Sequence, residues 1–239
     1  MKNVLPEIDI LPVHEVNLEV IGKVVKYKPF NVEQEKALLM ALESENINDI
    51  INNYKAVVDT VVMDEIDWNN LSMVDFINLI IHLRSKSKGE NLEFEKKCNE
   101  CGKSFDIILP INEVLKYENV DVKKVVLKIH DKLTLELSPI KYFYLYDFDK
   151  LKNEIDVFIH TAVHSISKII YNGSIYKVGL ENMDEIKEKI VSKLSLSILA
   201  DIFKKCKEMI SLHMVFKFKC THCEKEEVLN FDDYLKLLK

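Results

Sequence analysis

Glycine and proline are scarce, with five of each among 239 residues. That excludes long flexible linkers and proline-rich spacers. Long hydrophobic runs are also missing: no apolar stretch reaches the ~18 residues of a membrane span. The first residues, MKNVLPEIDILPVHEV, carry acids early and lack an apolar h-region, so they do not read as a signal peptide. A cytosolic location is expected, where thiols stay reduced and no disulfide framework forms. There is no P-loop, GxGxxG or GxSxG, and the many Asp and Glu residues are unclustered. His160 and His164 could share one helix face, but no glutamate completes an HExxH motif. Nothing marks an enzyme or a small-molecule substrate. An excess of positive charge is absent too. The formal charge of -6 and pI near 5.7 argue against a whole-protein footprint for nucleic acid, though not against a local basic patch.

What is present is an ordinary globular composition, 48% hydrophobic and 30% charged, on a chain long enough for one large domain or two small ones. Residues 1–21 read as an extended arm containing Pro6 and Pro12, with a strand near Val16 to Val25. KPFNVEQEKALLMALES starts a helix, with Asn31 as N-cap and Gln34 at its third position. Ile50, Ile51, Tyr54, Val57, Val58, Val61 and Val62 set a second helix capped by Asn48. Ser72 and Asp75 have capping-box spacing for a third, with Met73, Phe76, Ile77, Ile80 and Leu83 as its stripe and Gly89 as its stop.

The period then becomes that of strands. Leu92 and Phe94 alternate with glutamates, SFDIIL follows, and INEVLK reads as a short helix. Residues 124–137 form a hairpin. SPIKYFYLYDFDKLKNEIDVFIHTAVHSI reads as mostly helical, with Pro139 in a first turn. KIIYNGSIYKV is a hairpin on an Asn172–Gly173 type I′ turn. A long amphipathic segment runs from Asp184 to about Leu212. MVFKFKC is a strand and FDDYLKLLK a closing helix.

The chemistry lies in the cysteines. KKCNECGKSF and KFKCTHCEKE each hold a C-x2-C unit between apparent strands, giving Cys98, Cys101, Cys220 and Cys223. Such a turn aims two thiolates at one ion, and two turns complete a tetrahedral site. Gly102 behind the first pair takes a positive φ freely, whereas Glu224 at the matching place does so at a cost. A compact zinc ribbon spaces its pairs by about 15–20 residues, while here roughly 118 separate them. The intervening chain must fold out and return. Thioredoxin-like redox chemistry is disfavoured because neither pair opens a helix after a βαβ strand. Four scattered buried thiols are the competing reading. Four thiolates leave no open position, so the expected Zn2+ is structural. His222, inside the second knuckle, could compete as a ligand, but the cysteine set is complete without it. Cys206 has no partner motif and reads as a small buried hydrophobe near Ile202, Phe203 and Ile210.

YKPFNVEQEKALLMALES, with LSMVDFINLIIHLRSKSKGENLEFEKKCNECG, resembles the baseplate hub and hub-assembly family of T4-type contractile-tailed bacteriophages. Lys28 stands where that family has arginine, before Pro29 and Phe30. Leu83, Arg84, Ser87 and Gly89 match its Leu-Arg-x-x-Ser-x-Gly turn. FKFKCTHCEKEEVLNFDDYL resembles its closing element, with Tyr234 in place of a double phenylalanine and no proline before the last strand. The resemblance covers roughly residues 24–101 and 180–236. It implies a virion component or assembly factor of the baseplate hub, with no reaction of its own. Other hub or tail proteins would be its partners, in the host cytoplasm during assembly and, for a virion component, in the tail baseplate. YFYLYDF at 142–148 is the candidate contact surface, with core filling as the stronger alternative. The other reading is a zinc-ribbon nucleic-acid-binding or transcription accessory protein. Lysines around both knuckles favour it, and the net charge with neighbouring glutamates opposes it.

The expected fold class is α+β: a helical N-terminal part joined to β-hairpins and a split four-cysteine zinc-ribbon-like element. Residues 1–90 are the arm and helical part, and 91–118 the first knuckle and short helix. Residues 119–182 are an insertion of hairpins and helix. Residues 183–239 hold the C-terminal helix, second knuckle and closing helix, all within one compact body.

Overall fold

The computed structural model describes residues 10–43, 46–111, 116–146, 150–212 and 215–230. These hold six α-helices and twelve strands, all antiparallel, in five small sheets. The α+β class is as expected.

Strands β1 (His14–Leu18) and β2 (Lys23–Tyr27) form a hairpin whose Val16, Leu18, Val25 and Tyr27 are buried. The single strand expected across Val16 to Val25 is therefore bent. Gly22 takes φ +65°, and the Val20 and Ile21 N–H groups both donate to the Asp75 carboxylate at 3.1 Å. Those bonds tie the turn to the start of a distant helix.

Helix α1 (Val32–Glu43) opens with a reciprocal cap. Asn31 Oδ1 accepts the Gln34 N–H and Gln34 Oε1 accepts the Asn31 N–H, both at 2.9 Å. Helix α2 (Ile47–Val61) is capped by Asn46, not by Asn48 as expected. The Asn46 side chain accepts from the Asn48 and Asp49 N–H groups, which puts Asn48 inside the first turn. Helix α3 (Met73–Lys88) is capped by Ser72, which accepts the Asp75 N–H at 2.9 Å, and ends at Gly89 with φ +128°. Phe76, Leu79, Ile80, Ile81 and Leu83 on α3 are fully buried. Each contributes roughly 1.5–3 kcal/mol by leaving water. A helix apolar on nearly every side is a central one, and α3 is the axis of the larger core.

Tyr142–Leu145 form one 3-10 turn with all four side chains buried. The Tyr142 ring packs on Trp68, Phe76 and Phe143 at 5.3–5.5 Å. Residues 142–145 thus fill the core, the alternative the sequence favoured over a contact surface; Tyr146 is half-buried, and Asp147 and Phe148 lie outside the described residues. Among the described residues, the segment expected as mostly helical holds this turn and one later α-helix. Met73 N–H bonds to Ile140 O and Tyr142 N–H to Leu71 O, so Pro139 sits in a stretch pinned to the start of α3. Helix α4 (Glu154–Ser165) starts only after Asn153, whose side chain accepts the Asp156 N–H.

A second core lies under the four-stranded sheet. Strands β6 (Val125–His130), β7 (Leu133–Leu137), β8 (Ile166–Tyr171) and β9 (Ser174–Lys177) pair in that order. Asn172 and Gly173 have φ +48° and +81°, the signature of a type I′ turn. Leu135, Leu137, Ile166 and Ile169 pack in one cluster with residues of α4, α5 (Met183–Lys189) and α6 (Leu196–Lys207). The expected long amphipathic segment is thus two helices. It breaks at Ile190, and Ser195 recaps the chain by accepting the Ile198 N–H. Strand β5 (Tyr117–Glu118) then pairs with β10 (Ser211–Leu212). No described helix is long and apolar enough to cross a membrane. The body of INEVLK and all of FDDYLKLLK, expected as helices, lie outside the described residues, as do residues 1–9.

Candidate metal centre

Two hairpins build the site. The first pairs β3 (Asn91–Lys97) with β4 (Ser104–Pro110) and closes at Lys97 opposite Ser104. The second pairs β11 (Val215–Lys219) with β12 (Glu226–Asn230) and closes at Lys219 opposite Glu226. Each therefore ends in a six-residue loop carrying Cys-x-x-Cys.

The loops use the same bonds. Cys98 N–H donates to Lys103 O at 2.9 Å, and Cys220 N–H to Lys225 O at 3.0 Å. Gly102 N–H reaches Cys98 O at 3.0 Å, and Glu224 N–H reaches Cys220 O at 2.9 Å. Gly102 has φ +71° and Glu224 φ +59°. The knuckle geometry therefore imposes a left-handed residue after the second cysteine even where glycine is lacking. The expected asymmetry between the loops is energetic only.

The four sulfurs converge. Cys98 Sγ lies 3.7 Å from Cys223 Sγ, and Cys101 Sγ lies 3.8 Å from Cys220 Sγ. All four lie within 4.8 Å of one another. A tetrahedral zinc with bonds of about 2.3 Å requires sulfur–sulfur edges of about 3.8 Å. The donor set thus fits a four-thiolate ion in chemistry and in spacing, and the four cysteines could hold a metal. Cys98 and Cys220 are buried, Cys223 is half-buried and Cys101 exposed, so the cluster opens to solvent on one side. Backbone donors face the sulfurs: Cys101 N–H toward Cys98 Sγ at 3.5 Å and His222 N–H toward Cys220 Sγ at 3.4 Å. Burial raises the Cys220 thiol, but the His222 and Cys223 N–H groups and the adjoining thiols bring it down to about 7. Thiolate is the metal-binding form; among the neighbouring thiols it is favoured at Cys220, while Cys98 is pushed up to about 12 and Cys223 is also raised.

The hairpins also grip each other beyond the sulfurs. Two positions before each first cysteine stand Lys96 and Phe218; seven positions after stand Phe105 and Glu227. Phe218 packs on Phe105 with ring centroids 5.7 Å apart. At the equivalent places Lys96 pairs with Glu227 at 3.3 Å. One contact is aromatic and its counterpart ionic. Glu227, 5% exposed, also accepts the Asn99 N–H at 2.6 Å. His222 is no competing ligand: its Nε2 meets Ser104 O at 3.0 Å. These cross-hairpin partners were missed in the sequence, whose only signal was the equal spacing of the positions from the cysteines.

Cys98, Phe105 and Cys220 belong to the larger hydrophobic cluster around α3, so the knuckles sit on the helical core. Cys206 lies on α6, packed against the other cluster, where burial pushes its thiol up to about 11. His160 and His164 do share a helix face, with rings 4.3 Å apart. His160 Nε2 meets the Tyr144 carbonyl at 2.8 Å. Burial first, then the charges of His160 and Lys141, brings the His164 imidazole down to about 3. Among the described residues, only the four cysteines form a group of three or more His, Cys, Asp and Glu close enough to hold an ion.

No curated protein matches the chain, and no solved structure does. A model of the family described as T4 bacteriophage base plate protein matches residues 11–239. Both knuckles, both cores and every described element fall within that span. The chain belongs to the T4 bacteriophage base plate protein family.

Proposed function

We propose that this baseplate protein is a component of the central hub or a hub-assembly factor, acting by protein–protein binding. The observation that carries the reading is the family match over residues 11–239. The match supports a baseplate protein; the hub rests on the resemblance read in the sequence. Cys98, Cys101, Cys220 and Cys223 would hold one Zn2+, whose role is to cross-link residues near 100 to residues near 220. With four thiolates bound, the ion has no position left for a substrate, so it supplies folding free energy and no reaction. The four segments 1–90, 91–118, 119–182 and 183–239 then work as one body, with the knuckles fastening the first half to the second. Its partners are other hub or tail proteins, met in the host cytoplasm during assembly and, for a hub component, in the tail baseplate.

The test is recovery of the tagged chain from infected cells. Other baseplate proteins should co-purify in defined ratio. Recovery with nucleic acid alone, lost on raising salt, would support the zinc-ribbon nucleic-acid reading instead.

A further inference from the structure

A cleft of about 510 Å³ is lined from both cores. Met73, Val74 and Ile77 of α3 and Leu212 come from the larger core, Phe203 and Cys206 of α6 from the edge of the second. An apolar cavity of about 150 Å³ takes up one benzene, so there is room for roughly three ring-sized side chains. Phe203 and Cys206 are only half-buried, so the cleft opens to solvent at α6. Lys207, also in the lining, holds its ammonium over the Phe203 ring at 4.4 Å and meets no carboxylate among the described residues.

The chain itself brings an occupant to that place. Strand β12 runs antiparallel to β11 and ends at Asn230, the register partner of Val215. Val215 is three residues beyond Leu212, so the chain leaves the hairpin beside the point where it entered. With Cα atoms about 3.8 Å apart along the chain and about 5 Å apart across the pair, Asn230 stands within about 17 Å of Leu212. Residues 231–239, which lie outside the described residues, read FDDYLKLLK. Phe231, Tyr234, Leu235 and Leu238 recur at i, i+3, i+4 and i+7, the spacing of one helix face. Asp232 and Asp233 fall in the first turn and Lys236 and Lys239 in the last, each sign at the favoured end of the helix dipole. Nine residues span about 14 Å as a helix and about 30 Å extended, so the segment reaches the cleft. Isolated helices shorter than about 12–15 residues are marginal in water, so this one needs an apolar surface to pack on. Tethered beside the cleft, it has an effective concentration there on the order of millimolar, which a second copy or a separate partner must exceed.

We propose that residues 231–239 fold back as an amphipathic helix into this cleft and clasp the second core to the first. Phe231, Tyr234, Leu235 and Leu238 cover the lining from α3 and α6, and the Asp232–Asp233 pair lies beside Lys207. The knuckles tie residues near 100 to residues near 220; the clasp ties α6 to α3, independently of any metal. The inference stands apart from the reading of the chain as a hub component.

The test is nuclear magnetic resonance of the full chain with labelled isoleucine, leucine and valine methyl groups. Nuclear Overhauser contacts should join the Phe231 and Tyr234 rings to the methyls of Val74 and Ile77. Absence of those contacts would overturn the proposal. So would contacts seen only between differently labelled copies in a mixed sample, because the occupant would then be the tail of a second copy. Cys206 in the lining gives a second readout. Leu235→Asp puts a charge on the docking face and should speed Cys206 alkylation, mapped by mass spectrometry, by about tenfold or more, the factor that corresponds to about 1.4 kcal/mol of docking. An unchanged rate in folded Leu235→Asp would also overturn the proposal. If that variant does not fold, the contacts in the unaltered chain decide the matter.

Discussion

The Glu227 carboxylate of the second hairpin accepts the Asn99 N–H of the first at 2.6 Å, across most of the length of the chain. The same side chain pairs with Lys96 at 3.3 Å. Glu227 therefore aligns the two knuckles independently of the sulfurs. Glu227→Ala is expected to lower the melting temperature and to speed metal loss to a chelator, with all four cysteines present. Glu227→Gln, which keeps an acceptor for Asn99, should recover part of both. Chelator-competition kinetics on the two variants check this; equal rates for wild type and Glu227→Ala would remove Glu227 from the account.

Glu224 holds a left-handed backbone, φ +59°, where the other knuckle has Gly102 at +71°. Glu224→Gly should stabilise the protein by about 1 kcal/mol, the usual cost of that conformation for a residue with a Cβ. Gly102→Ala should cost a similar amount. A Cβ there meets nothing nearer than Lys97 Cε at 4.0 Å, so the loss is backbone strain alone. Denaturant midpoints at unchanged slope test both.

Asp75 is fully buried and receives the Val20 and Ile21 N–H groups. Asp75→Ala should cost about 2–3 kcal/mol, because two donors lose their acceptor. Faster hydrogen exchange at Val20 and Ile21 would accompany it. A loss below about 0.5 kcal/mol would show that the hairpin finds other partners.

His164 gives the fold an acid limit. Its imidazole is brought down to about 3 in the folded chain, chiefly by burial, against about 6.5 when unfolded. Above the unfolded value neither state is protonated and stability is unaffected. Below it the unfolded chain binds the proton, so stability falls by about 1.4 kcal/mol per pH unit until the folded value is reached. His164→Asn should flatten that slope between pH 6.5 and 3. An unchanged slope would place the acid sensitivity elsewhere.

Local signals carried the parts of this structure that local physics determines. Asn31 with Gln34, Ser72, Gly89 and the Asn172–Gly173 turn each fix their own few residues, and each stands where the sequence places it. The convergence of Cys98, Cys101, Cys220 and Cys223 was legible because two Cys-x-x-Cys units, each between strands, have the spacing of a four-thiolate metal site. What was not legible depends on long-range contacts. The bend between β1 and β2 needs Asp75, far along the chain. The break at Pro139 to Leu145 needs α3 to receive Tyr142 and Phe143. The Lys96–Glu227 tie depends on the hairpins meeting first. Asn46 in place of Asn48 is a smaller miss, since asparagines two positions apart carry nearly the same capping signal.

Cys206 tests the ligand set from outside. It packs on α6 against the second core, apart from the four converging thiols. Cys206→Ala should leave metal content unchanged and cost little stability. A fall in bound metal would mean that the ligand set is wrong.

The most direct measurement is the metal content of the natively purified chain, by mass spectrometry without added zinc. One zinc per chain is predicted. Substituting serine for any of Cys98, Cys101, Cys220 or Cys223 should lower that content and loosen the contact between the two hairpins. Protein that is folded and metal-free, or that keeps full zinc content after these substitutions, would contradict the account.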